Sequence, residues 1–92
     1  MALYAVIWTY TSDADLLQSA KPAHGAFVRD LASRQVLLEA GAWSDGSGAL
    51  LVVNADSADE VDNLLADDPY VTHHVVTSST VREWGPVLGA LT

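Results

Sequence analysis

The run from Leu3 to Tyr10, LYAVIWTY, narrows the choice of structure more than any other part of this chain. It is aromatic and β-branched and too short for a stable helix. Tyr4, Val6 and Trp8 fall on one alternate set of positions, with Leu3, Ala5 and Ile7 on the other. Neighbouring strand side chains point to opposite faces of a sheet, so a strand apolar on both faces belongs at a sheet centre with cover on both sides. Ala49 to Ala55 (ALLVVNA) has the same property, with Leu50-Leu51-Val52-Val53 filling both faces.

Val36 to Trp43 (VLLEAGAW) reads as a further strand. Between it and Ala49, the Asp45-Gly46 dipeptide is a strong hairpin signal and predicts an antiparallel pair. Thr11-Ser12-Asp13 is a turn, and the stretch to Ala20 reads as a loop or a single helical turn containing Leu16 and Leu17. A helix is predicted from about Lys21 to Ser33, with Pro22 at its first position, where the missing N–H costs nothing. That places His24 in the first turn, on the stripe formed with Phe27, Val28 and Leu31. Ser57 and Glu60 have the spacing of a capping box, so a second helix starts there, buries Val61, Leu64 and Leu65, and stops near Asp67-Asp68-Pro69. Tyr70 to about Trp84 holds the last strand, closed by Gly85-Pro86.

The order strand, helix, strand, strand, helix, strand predicts an α+β fold, a ferredoxin-like βαββαβ sandwich with an antiparallel four-stranded sheet and both helices on one face. Ninety-two residues are read as a single domain over 1–92; a domain of this size buries only roughly 60–65% of its unfolded surface. The sheet face without helices would leave a large apolar patch on a monomer. Homodimerisation through that open face is therefore expected.

Twelve acidic and four basic residues give a formal charge of −8. Nucleic-acid affinity rests on neutralising phosphates with Lys and Arg, and only Lys21, Arg29, Arg34 and Arg82 are present. Nucleic acid and anionic membrane surfaces are excluded as partners on this ground. Without cysteine, disulfides and Cys-based metal sites are excluded too. The start of the chain lacks a basic n-region and reads as a strand, not a signal peptide, and no apolar run approaches the roughly 20 residues of a membrane span. The expected location is the cytoplasm.

With these elements placed, the sequence resembles the YciI-like family of the dimeric α+β barrel superfamily. The resemblance rests on Pro22-Ala23-His24, Leu37-Leu38-Glu39-Ala40-Gly41, Asp67-Asp68-Pro69-Tyr70-Val71 and Val81-Arg82-Glu83-Trp84, and runs from Leu3 to Gly89. It implies a dimeric α+β barrel with a cleft near the helix-borne histidine and the Asp-Pro loop, and lyase or isomerase chemistry on small rings. Gly41-Ala42 stands where the family usually ends this strand with Gly-Pro, and Ser33 where members often carry an acid. The carboxylate partner of His24 is thus expected outside its own helix.

His24 is either a core histidine satisfied by a carbonyl or a general base or acid. Its side-chain type titrates near neutrality, and a first-turn position together with partial burial would favour the neutral ring. Asp68 is either a helix-ending turn residue or the group that orients His24 or the substrate across the cleft. Tyr4, Trp8 and Trp84, with Trp43, are either packing residues or walls of a ligand pocket. His73 and His74, if on a strand, point to opposite faces and cannot share a metal ion. Asp45, Gly46 and Gly48 are turn chemistry, not a phosphate loop.

The reading that unites these residues is a cofactor- and metal-independent lyase or isomerase. His24 would move a proton on a small cyclic or aromatic substrate, Asp68 would orient it, and Tyr4, Trp8 and Trp84 would shape the pocket. A non-catalytic small-ligand-binding or accessory protein and a cofactor-free oxygenase remain alternatives.

Overall fold

Strand β1 (Ala2–Tyr10) lies inside the sheet, as its two apolar faces require. It is followed by α1 (Ala14–Ser33), β2 (Leu37–Ala42), β3 (Gly48–Ala55), α2 (Ala58–Leu65), the short α3 (Pro69–Thr72) and β4 (Val76–Trp84). The computed structural model describes residues 2–92; Met1, part of the expected domain, lies outside the described residues. The strands form one antiparallel sheet in the order β2-β3-β1-β4. This is the ferredoxin-like arrangement, with one additional helical turn.

The core lies between the sheet and the helices. Tyr4, Val6 and Trp8 of β1 and Ala49, Leu51, Val53 and Ala55 of β3 pack in one cluster with Leu31 of α1 and Val61 and Leu65 of α2. Fully burying a side chain such as Val6, Val53 or Val61 contributes about 1.5–3 kcal/mol each. A smaller cluster, Ala20, Tyr70 and Val75, joins α1 to α3. On the opposite sheet face, Ile7 and Leu50 stand side by side in register and are 40% and 36% exposed. No helix among the described residues is long and apolar enough to cross a membrane.

Local signals explain most boundaries. Ser57 caps α2, its Oγ accepting from the Glu60 N–H at 3.1 Å; no return bond from the Glu60 carboxylate forms among the described residues, so only half of the expected capping box is present. The β2–β3 connection is built on Asp45-Gly46: the Asp45 carboxylate accepts from the Ser47 N–H at 2.9 Å, and Gly46 adopts a φ of 75°.

Two boundaries differ from expectation. Helix α1 starts a full two turns before Lys21, capped by Asp13, whose carboxylate accepts from the Leu16 N–H at 3.1 Å. Pro22 therefore lies inside the helix rather than at its first position. Lacking an N–H, it leaves the Gln18 carbonyl without its usual helical donor. His24 sits mid-helix, where the terminal dipole no longer acts, so the helix-start argument for a neutral ring does not hold. Second, Pro69–Thr72 is helical, not strand. Asp-Pro ends α2 and at once begins α3, with proline at its favoured first position.

Candidate functional site

The site is built from the Asp68-Pro69 step. Proline excludes the helical region for the residue before it, and Asp68 is accordingly extended at φ −61°, ψ 128°. From there its carboxylate caps α3, Oδ1 accepting from the Tyr70 N–H at 2.9 Å. The Asp68 side chain is wholly buried. A carboxylate in such a place has to be paired and hydrogen-bonded. Its partner is His24, whose Nδ1 lies 2.8 Å from Oδ1 and 3.1 Å from Oδ2.

Helix α1 delivers the imidazole. Leu17, Ala20, His24, Phe27, Val28 and Leu31 follow at helical spacing; Phe27, Val28 and Leu31 pack in the main core, and Leu17 and Ala20 in the smaller cluster with Tyr70. The Nδ1–H donates to the Asp68 carboxylate, so the neutral form of the ring carries its lone pair on Nε2. Nε2 makes no hydrogen bond among the described residues. The ring stacks on Tyr70, centroids 3.7 Å apart and planes within 2°. Trp8 lies against it at 6.4 Å. Tyr10 closes the aromatic group, edge-on to Tyr70 at 5.3 Å. Two aromatic neighbours and a buried carboxylate thus fix the imidazole's orientation, and Tyr10 backs Tyr70.

His24 lines a cavity of about 690 Å³, within the range usual for small-molecule sites. The sheet contributes Trp8, Ala49, Leu51 and Ala40-Gly41-Ala42; α1 contributes Gln18, Lys21, Gly25, Val28 and Arg29; Tyr10 and Tyr70 complete the wall. Burial, and then the neighbouring Tyr70 and Asp68, push the Tyr10 phenol up to about 12. Burial, followed by Asp68, raises Tyr70 as well. Both therefore remain protonated donors at neutral pH. The small β2 residues keep this end of the sheet open.

The structure brings His24 and Asp68 together and puts Trp8 on the cavity wall. Tyr4 is buried in the core and lines no part of this cavity. Trp84, paired across from Leu3, lies on the open sheet face, 43% exposed, also away from it. His73 and His74 occupy the turn after α3 rather than a strand; His73 caps that helix and His74 has a φ of 62°. Among the described residues no group of three His, Cys, Asp or Glu side chains is placed to hold a metal ion. Tyr10 and Tyr70 were not among the candidates from sequence. Reading Asp68-Pro69 as a helix start would have turned Tyr70 inward toward α1.

Comparison with known proteins follows the same outline. The family model described as YCII-related domain matches residues 2–85. Among solved structures, the chain is similar to 5-chloro-2-hydroxyhydroquinone dehydrochlorinase (TftG) from Burkholderia phenoliruptrix AC1100, in complex with 2,5-dihydroxybenzoquinone. That match has a TM-score of 0.78 and 19% identity, and covers 90% of this chain and 93% of the other. It is also similar to Rv0793 from Mycobacterium tuberculosis, with a TM-score of 0.56, 15% identity, and 97% and 99% of the two chains covered. No curated protein matches the sequence.

Proposed function

The chain belongs to the YCII-related domain family, and from that membership we propose that it is a small-molecule enzyme in which His24 transfers a proton during a lyase- or isomerase-type reaction on a small cyclic or aromatic substrate. One observation carries the reading: an imidazole whose Nδ1–H is held 2.8 Å from a wholly buried carboxylate, on the wall of a cavity large enough for such a substrate. The ring in the name of the similar dehydrochlorinase, and in its bound ligand, suits the same chemistry.

In this mechanism the Nε2 lone pair takes a proton from the substrate. The electron pair left behind forms the new double bond, and in an elimination the leaving group departs with its own bonding pair. In an isomerisation the proton returns at another ring position. The imidazolium formed meanwhile is stabilised by Asp68, which holds its charge and its geometry together; it is a positioning residue and does not touch the substrate. Tyr10, kept protonated, offers an O–H to negative charge developing on the ring. A positioned base contributes roughly 10²–10⁴-fold.

The active unit in this reading is a homodimer joined through the open sheet face, where Ile7 and Leu50 present apolar surface that the helices leave uncovered.

The test compares wild type with His24→Gln, which removes the titratable ring, over a panel of small phenols, quinones and lactones. Turnover by wild type and its loss by about 10²-fold or more in His24→Gln, with ligand affinity retained, is the expected result. Equal turnover in both proteins would refute the role of His24; ligand binding with no turnover in either would assign a binding protein.

A further inference from the structure

We propose that the cavity is selective for anions: its ligand is a small planar ring bearing an oxyanion, which Lys21 and Arg29 hold at the cavity mouth while the ring lies beside His24. This rests on the cavity being the ligand site, as in the proposed function, and adds the charge of what it takes. In a chain with twelve acids and four bases, two of the four cations line this one cavity, and no Asp or Glu lines it.

Their arrangement is specific. Lys21, Gly25 and Arg29 are spaced four residues apart on α1, one turn each, alongside the row that carries His24 and Val28. The Arg29 guanidinium folds back over Gly25: a Cβ placed on that glycine would meet Nη1 and Nη2 at 3.4 Å. Gly25 thereby leaves a flat seat for the guanidinium beside His24. Asp30, the next residue along, is not its partner; that carboxylate pairs with Arg34 at 3.2 Å. Neither Lys21 nor Arg29 is paired with a carboxylate among the described residues.

Two cations without partners on a half-enclosed apolar wall, in a protein that is otherwise strongly negative, focus a local positive potential. The planar guanidinium matches a carboxylate or a pair of ring oxygens with two parallel hydrogen bonds, and the lysine adds a point charge. Such a clamp would also restrain a ring with one edge toward Nε2. The surrounding negative charge meanwhile repels anions everywhere else on the molecule.

The experiment titrates the whole protein with matched probes, followed by amide NMR shifts: benzoate against benzamide, and the 2,5-dihydroxybenzoquinone anion. The expected result is that the anions shift residues of the cavity and that benzoate binds roughly tenfold tighter than benzamide, with an advantage that shrinks as salt rises. Arg29→Gln and Lys21→Gln together should abolish that advantage and leave benzamide unchanged. The proposal is overturned if benzamide binds as well as benzoate, if the double variant keeps the preference, or if neither anion shifts cavity residues. Because binding is read without turnover, the same titration on His24→Gln separates the two readings: anion preference persists there even if no reaction is ever found.

Discussion

Replacing Asp68 by alanine should cost far more than a surface substitution, and the structure allows the loss to be worked out. The carboxylate is wholly buried and receives donors from two elements, His24 Nδ1 at 2.8 Å and Tyr70 N at 2.9 Å. Losing a helix cap costs about 0.5–2 kcal/mol; losing a hydrogen bond to a charged group costs about 1.5–3 kcal/mol. A combined loss of about 3 kcal/mol follows, a large part of the roughly 5–15 kcal/mol that holds a domain folded. For a chain of this size it corresponds to a fall in Tm of about 12–24 °C. Asp68→Asn retains one oxygen but turns an amide N–H₂ toward one of the two donors, so it should fall between wild type and Asp68→Ala. Urea unfolding with an unchanged m-value would give the loss directly. A loss below about 1 kcal/mol for Asp68→Ala would refute the view that this carboxylate ties α3 and the imidazole to the same point.

Three further outcomes follow from other parts of the structure. Gly48 faces Thr9 across the sheet, and a Cβ there would run into the backbone carbonyl of Trp8, which has no room to move; Gly48→Ala should destabilise by about 1–3 kcal/mol or more, and an unchanged denaturation midpoint would disprove this. The Tyr10 phenol is raised by burial from 10.0 to about 12, so the folded state holds that proton more tightly than the unfolded chain. Its contribution is complete below about pH 10 and lost as pH rises through about 12; Tm should fall over that window, and less steeply in Tyr10→Phe. Wild type should scatter light as a dimer at micromolar concentration, and Ile7→Lys with Leu50→Lys as a folded monomer; a monomeric wild type would remove the sheet-face interface.

Much of this architecture is legible in the sequence because single residues decide it. Runs apolar on both faces place β1 and β3 inside the sheet, Asp45-Gly46 turns one strand onto the next, and Ser57 starts α2. At the start of α1 two rules compete. Proline at a first helical position is favoured, yet Asp13 three residues before Leu16 is an equally good cap, and the stripe through Leu17, Ala20 and His24 is continuous with Leu31 only if Pro22 is inside. Tertiary packing of that stripe outweighed the lost hydrogen bond. The same boundary sets the electrostatics at His24: the positive helix end lies back at Ala14, too far away to favour a neutral ring. Asp68 and His24 could be named as partners only through the family resemblance, which implies an Asp-Pro loop beside the helix-borne histidine. Tyr4 and Trp84 could not be separated from Trp8 by sequence: all three are strand aromatics, and only the end of the sheet and the face they occupy tell wall from core.

The double use of Asp68 has a consequence for how this protein can change over generations. One carboxylate oxygen serves both the α3 cap and the imidazole, so a mutation there strikes folding and proposed chemistry at once. Losses of about 1–2 kcal/mol already lower cellular abundance several-fold, and variants of Asp68 would disappear as protein before their activity was ever weighed. Conservative changes at His24, which keep a donor for the carboxylate, would persist at near-normal abundance with the chemistry gone. A lineage that abandons catalysis while keeping the fold for binding would therefore drift at His24 and hold Asp68.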